Sequence, residues 1–135
     1  MKSFITSLVW AVALVGCESQ PTRTSAHASP HEVTFLALPK SASDIQYWDD
    51  GHNKIARFKT SESDFRSLFS SKQFIEITEP TQYVSNVFGD PSNRPSGLST
   101  AKTGLVYQLI KGDGGGETII FDRDTGVGSY DFAPW

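Results

Sequence analysis

LVYQLIKGDGGGETIIFDRDTGVGSYDF, residues 105–132, is the stretch that decides the fold. It contains three runs with the apolar and β-branched content of strands, namely 105–111, 117–123 and 127–132. A glycine-rich segment follows the first run, and the turn sequence Asp124-Thr125-Gly126 follows the second. The stretch therefore predicts a three-stranded antiparallel meander.

Two features of this stretch invite a ligand-binding interpretation. The glycine run at 112–116 lacks the Gly-Lys-Ser/Thr of a phosphate loop and precedes a strand, so a hairpin loop is the better interpretation. Asp122 and Asp124 have the Asp-x-Asp spacing that begins many calcium loops. The fifth position is Gly126, which offers no side-chain oxygen, and no Glu follows. We expect a tight turn with Gly126 in the left-handed conformation, and keep the two aspartates as metal candidates.

Upstream, the clearest local signals are a hairpin and a helix. Asp49-Asp50-Gly51-His52-Asn53 separates two strand-like segments, 46–48 and 54–60, and Asp-Gly is a strong hairpin signal. A helix is expected to begin at Ser61, whose side chain can cap the amide of Asp64. The apolar stripe of this helix consists of Phe65, Leu68 and Phe69.

The remaining segments give weaker signals. Residues 32–38 have the composition of a buried strand that Pro39 stops, and Ser41 to Asp44 match a capping box before a single helical turn. We further expect a short strand at 74–77, a helical turn within 81–88 and a loop at 90–97. The predicted class is α+β: a small antiparallel sheet of about five to six strands, with one main helix and short helical turns packed on one face.

Composition restricts the class of protein. The 135 residues have room for one domain, and a net charge of −3 argues against a nucleic-acid partner, which would require a basic face. The single cysteine excludes an internal disulfide and a cysteine-based zinc site. No cofactor is indicated.

The N-terminus has the character of an export signal. Met1-Lys2-Ser3 is followed by an apolar run over residues 4–15, which is shorter than the roughly 20 residues of a membrane-spanning helix. Leu14-Val15-Gly16-Cys17 then resembles the lipobox of bacterial lipoproteins. The resemblance implies cleavage between Gly16 and Cys17 and a lipid anchor on Cys17. An ordinary cleavage site at Ala11-Val12-Ala13 and an uncleaved anchor are the alternatives.

These observations divide the chain into three parts. Residues 1–16 are the predicted signal peptide, 17–32 a flexible tether and 33–135 a single domain. Residues 17–32 contain no large apolar side chain, which favours disorder. The tether carries His27 and His31 at i and i+4, but Pro30 lies between them and no further ligand completes a metal site. In lipoproteins, the absence of Asp after the cysteine implies sorting to the outer membrane, facing the periplasm.

A second resemblance covers most of the domain. It rests on three pieces of sequence: Leu38-Pro39-x-Ser41-Ala42-x-Asp44-Ile45; Phe58, Ser61 and Asp64-Phe65; and Asp122-Arg123-x-Thr125-Gly126. This pattern resembles a scattered group of small bacterial proteins with no known activity. The resemblance implies a recurrent folded module and transfers no catalytic residue.

Three functional hypotheses follow. The leading one is a non-enzymatic envelope lipoprotein that binds an envelope protein or glycan, or has a structural role. The second is a small hydrolase-like enzyme that uses Asp122, Asp124 and Asp131 with His52, although a loop-tip histidine has no walls to exclude water. The third is a periplasmic inhibitor or immunity-type lipoprotein acting through the loop at 90–97. Three aromatic residues near turns or the terminus could instead stack on a sugar or peptide: Tyr47, Trp48 and Trp135.

Overall fold

The computed structural model describes residues 23–83 and 100–134. Within these ranges it contains nine strands, one α-helix (α1, Glu62–Leu68) and a 3-10 helix (Pro30–Glu32). The strands are β1 Arg23–Ala28, β2 Ser43–Asp49, β3 Lys54–Lys59, β4 Ile75–Ile77, β5 Thr81–Gln82, β6 Thr100–Ala101, β7 Gly104–Ile110, β8 Gly116–Asp122 and β9 Val127–Ala133.

Seven strands form one antiparallel sheet in the order β1-β2-β3-β9-β8-β7-β4, and β5 and β6 form a separate two-stranded sheet. The predicted meander is confirmed as β7-β8-β9, and the predicted hairpin as β2-β3. The α+β class is also confirmed at a coarse level. The described residues form nine strands, more than the five to six that the sequence predicts.

The turn between β8 and β9 forms as its sequence predicts. One carboxylate oxygen of Asp122 accepts the Asp124 N–H at 3.1 Å, and the other accepts the Thr125 hydroxyl at 2.8 Å. Gly126 has a φ of 69°, and its N–H donates to the Asp122 carbonyl at 2.8 Å. Asp122 is therefore occupied in shaping the turn.

Helix α1 begins where the sequence predicts and covers one face of the sheet. Ser61 accepts the Asp64 N–H at 3.1 Å, which is the predicted N-cap. Phe65 is fully buried, with its ring centroid 5.0 Å from those of both Phe69 and Phe121. Gly128 lies beneath it in β9, where a Cβ would stand 2.9 Å from the Phe65 ring. The missing side chain therefore allows the helix to approach the sheet closely.

The strand predicted at 32–38 is wrong. Glu32 ends the 3-10 helix, and residues 33–38 are turns and irregular chain. Side chains of this segment still enter the core, with Val33 and Leu38 both buried. Apolar content alone does not distinguish a buried strand from a buried irregular segment. The segment extends the apolar cover that α1 places on the sheet.

The capping box predicted at Ser41 to Asp44 is also wrong. Ser43 and Asp44 belong to β2, and the Ser41 hydroxyl donates to the Asp64 carboxylate at 2.8 Å, across to α1. Pairing with β3 determines the conformation here and overrides the local helix signal.

The flexible tether predicted for 17–32 is wrong for residues 23–32. Residues 23–28 form β1, which pairs with β2, and residues 30–32 form the 3-10 helix. His27 and His31 therefore do not share a helix face. The helical turn predicted within 81–88 is wrong for Thr81 and Gln82, which form β5. Tyr83 has no regular secondary structure, and residues 84–88 lie outside the described residues.

Candidate functional site

The face of the sheet opposite α1 has a different chemistry from the helix-covered face. Four buried polar or charged residues occur among the described residues, and all four lie on this face of β8 and β9: Thr118, Asp122, Ser129 and Asp131. Alternation along a strand separates them from Ile119 and Tyr130, which point into the apolar core. This face therefore contains a buried polar centre.

Polar side chains of the neighbouring strands lie beside this centre and enlarge it across the sheet. Arg57 of β3 is in register with Ser129, and Gln46 of β2 is in register with Arg57. On the other side, the Gln108 amide of β7 donates to the Thr118 hydroxyl at 3.2 Å. We call this surface the polar face and define it by six residues: Gln46, Arg57, Gln108, Thr118, Ser129 and Asp131.

A cavity of about 200 Å³ opens at the β2-β3 side of the polar face. Its lining is mostly polar and consists of Asp44, Gln46, Arg57, Phe58, Lys59 and Val127. The register of β2 against β3 shifts between Ser43 and Gln46, and Asp44 within this irregularity has a φ of 50°. Such a bulge bends its strand locally and breaks the regular pairing. The bulge thus accounts for the space between the two strands at this point.

The electrostatics of the cavity are mixed. Lys59 Nζ lies 3.2 Å from a carboxylate oxygen of Asp44, and both side chains are more than half exposed. Gln46 adds an amide that can both donate and accept. The cavity therefore offers cationic donors, an anionic acceptor and a neutral amide. This set is suited to binding a polar group.

The far end of the same face is apolar and covered. Ile77, Ala101 and Ile120 form a small buried cluster, against which Tyr83 and Val106 pack. The two-stranded sheet contributes Ala101 to this cluster. The open part of the polar face is thus the part nearest β2 and β3.

Two residues of the hydrolase hypothesis, His52 and Asp122, lie at opposite ends of the sheet. His52 lies in the β2-β3 turn, beside Lys54, which is in register with Phe132. Asp122 lies at the other end of the sheet. It is in register with Val127, which is in turn in register with Lys59. Five residues of strand separate these ends, a distance of roughly 17 Å. The histidine and this carboxylate therefore cannot share a pocket.

The calcium candidates have other partners. Asp122 bonds within its own turn, and Asp124 accepts the Thr103 hydroxyl at 3.1 Å. In the part of the chain that the structure describes, no group of three His, Cys, Asp or Glu side chains could hold a metal ion. Asp131 lies in the polar face, in register with Ile55 and Thr118.

The proposed aromatic stacking residues are buried. Tyr47 belongs to the main core, and Trp48 packs with Ile55 on the other face. That interpretation is therefore wrong for these two residues. Three other predicted features lie outside the described residues: the Leu14 to Cys17 motif, the loop at 90–97 and Trp135.

A charge network that sequence reasoning missed lies at the end of the sheet that contains the β8-β9 turn. Arg123 donates to Glu62 at 2.7 Å and to Glu76 at 3.0 Å, and Arg66 lies 2.9 Å from Glu62 and 3.0 Å from Glu76. Hydrogen bonding from Arg123 holds the pKa of Glu62 at about 2, and Arg66 adds to this effect. In the sequence, the one local signal for this charge network is the i,i+4 spacing of Glu62 and Arg66. This network joins α1, β4 and the turn.

Comparisons with protein families, curated proteins and solved structures found no match. None of the described helices is long and apolar enough to cross a membrane.

Proposed function

We propose that this chain is a lipid-anchored protein of the bacterial cell envelope whose domain is a non-enzymatic binding module. The observation that carries the proposal is Leu14-Val15-Gly16-Cys17, which lies at the end of the apolar run at 4–15 that follows a basic start. Acylation of Cys17 holds the protein at the membrane. Glu18 in place of Asp favours the outer membrane, with the domain in the periplasm.

The start of β1 limits how far the domain can lie from the membrane. Arg23 begins this strand six positions after Cys17. Six residues of fully extended chain span at most about 20 Å. The domain is therefore held close to the lipid surface, and its partners are components found there.

We assign binding to the polar face. The cavity beside Gln46, Arg57 and Lys59 supplies amide, guanidinium and ammonium groups around one opening. These groups suit a partner rich in hydroxyl, amide or carboxylate groups. Envelope glycans and polar protein loops both have this chemistry. The inhibitor hypothesis would use the loop at 90–97 in place of this face.

Lipid attachment is tested with the Cys17→Ala variant. We expect the unaltered protein to incorporate a radiolabelled fatty acid and to fractionate with membranes, and the variant to do neither. Ser19→Ala, two positions away, is the matched control and should behave as the unaltered protein. A Cys17→Ala variant that remains in the membrane fraction with unchanged mass would refute the anchor.

Binding through the polar face is tested by cross-linking in intact cells followed by purification of the anchored protein. We expect a recurrent partner that is lost with Arg57→Ala and retained with Lys40→Ala, which changes an exposed residue away from the cavity. Recovery of the same partner with both variants would contradict this assignment. Hydrolase activity in the purified protein, with no partner recovered, would contradict the non-enzymatic binding module.

A further inference from the structure

The large exposed apolar side chains of the described residues are gathered at one edge of the main sheet. They are Ile75 of β4, 71% exposed, and Leu109 and Ile110 of β7, 46% and 67% exposed. Natural sheets usually protect such an edge with charges, proline or a covering segment. An apolar edge left open is a template for pairing with another strand.

Among the described residues, half of this edge is left unpaired because β4 is much shorter than β7. The three residues of β4 pair with Gly104, Leu105 and Val106. Beyond this point, β7 continues through Tyr107 to Ile110, and no described residue pairs with the outer side of that half. Its four side chains carry no charge.

The direction of the main-chain groups follows from the β7-β8 hairpin. Lys111 N–H donates to the Gly115 carbonyl at 2.8 Å, which marks these two as a hydrogen-bonded pair. Because such pairs alternate along a ladder, Leu109 directs its N–H and C=O toward β8, and Gln108 and Ile110 direct theirs outward. Two donors and two acceptors are thus presented at the open edge.

We propose that this half of β7 is an interface at which a second copy of the chain adds, with the two β7 strands antiparallel about a two-fold axis at Leu109. In this register each Gln108 lies opposite Ile110 of the other copy, and their outward N–H and C=O groups form four hydrogen bonds between the chains. The two Leu109 side chains meet at the axis. Joining the edges in this way makes one continuous sheet from the two copies.

The shape and charge of the edge favour a second copy over an unrelated strand. The same patch serves both sides, as a two-fold interface requires. The added strand leaves the edge at Lys111, where the β7-β8 turn begins, and so clears β4, which occupies the edge from Val106 onward. The ammonium of Lys111 bonds to the Pro134 carbonyl at 3.2 Å. The Lys72 ammonium, 4.7 Å from the centre of the Tyr107 ring, pairs with Glu117, so both of these cations are held within their own chain.

The proposal is tested by disulfide trapping of the full-length protein in a Cys17→Ser background, where the introduced cysteine is the sole thiol. At the axis, the Leu109 Cα atoms of the two copies lie about 4.5 Å apart, within the range of a disulfide. We expect most Leu109→Cys chains to form a covalent dimer under mild oxidation. Leu109 is partly exposed, so the change leaves the core intact.

Ile110→Cys is the matched control for register. In the proposed pairing its two copies are offset by about 7 Å along the strand and by one strand spacing sideways, beyond the reach of a disulfide. We expect little dimer from this variant. Equal trapping at both positions, or none at Leu109→Cys, overturns the proposal.

A measurement without cysteines makes the test independent of thiol chemistry. Sedimentation of the detergent-solubilised protein should give twice the mass that mass spectrometry finds for its processed chain, after correction for detergent. The Ile110→Lys variant should sediment as a monomer with an unchanged circular dichroism spectrum. An unaltered protein that sediments as a monomer at all concentrations, or an Ile110→Lys variant that remains dimeric, overturns the proposal.

Discussion

At Gly104, the sheet has no room for a side chain larger than hydrogen. It opens β7 with a φ of 136°, and a Cβ built on it would stand 1.9 Å from the carbonyl oxygen of Phe121. That oxygen belongs to the main chain of β8, so it cannot rotate away as a side chain could. A larger residue here must separate the two strands or break their pairing.

We therefore expect Gly104→Ala to lower the free energy of unfolding by about 3 kcal/mol or more, through both strain and the clash. Gly112→Ala is the control, because a Cβ at Gly112 meets nothing within 4 Å. It should change stability by no more than about 0.5 kcal/mol. Urea unfolding followed by circular dichroism measures both. Equal stability of the two variants would show that β7 and β8 are not as close as described.

At the scale of elements, the sequence predicted those segments whose signals are local. The β2-β3 hairpin follows from Asp50-Gly51, and α1 from the Ser61 cap and the spacing of Phe65 and Phe69. The β8-β9 turn follows from Asp122 to Gly126. In each case the residues that specify the element lie within it or next to it.

Prediction from the sequence failed where pairing between distant segments decides the structure. β1 has only small and polar side chains, so its main-chain bonds to β2, and not burial, make it a strand. The polar face could not be predicted for the same reason. Thr118, Ser129 and Arg57 become neighbours only when the register of three strands is known.

Hydrogen exchange distinguishes the strand from the predicted tether. Amides within 23–28 that bond to β2 should exchange more slowly than an unstructured peptide, because exchange requires the edge strand to open. The exposed turn residues Gly112 and Asp113 provide an internal reference for fast exchange. If residues 23–28 exchange as fast as this turn, β1 is not a stable strand and the longer tether is correct.

At the scale of the whole molecule, the network around Arg123 connects parts of the chain that are distant in sequence. Glu62 contributes from the first turn of α1, Glu76 from β4 and Arg123 from the β8-β9 turn. Because hydrogen bonding from Arg123 depresses the pKa of Glu62 from 4.5 to about 2, folding favours the ionised carboxylate. This contribution to stability is fully present above about pH 4.5 and is lost as the pH falls toward 2.

The Glu62→Gln variant should therefore be less stable than the unaltered protein by roughly 1 kcal/mol at pH 7, a value reduced by solvent screening of these partly exposed groups. The difference should disappear near pH 2 and shrink in 1 M salt. Glu79→Gln is the control, since Glu79 is exposed and the described residues give it no ion pair. Thermal unfolding across this pH range is the measurement. A difference that is independent of pH would exclude the ionic explanation.

The position of β9 sets an order of events during synthesis. β9 is the central strand of the main sheet, between β3 and β8, although it follows all the other described strands along the chain. About 70 residues separate β3 from its partner positions in β9. At ~5–20 residues per second, roughly 4–14 s pass between the synthesis of these two strands. The ribosome thus delivers the middle of the sheet after both of its neighbours, so the main sheet cannot be completed until β9 has been synthesised. Export that starts from the N-terminus, as proposed, can therefore begin before the sheet exists.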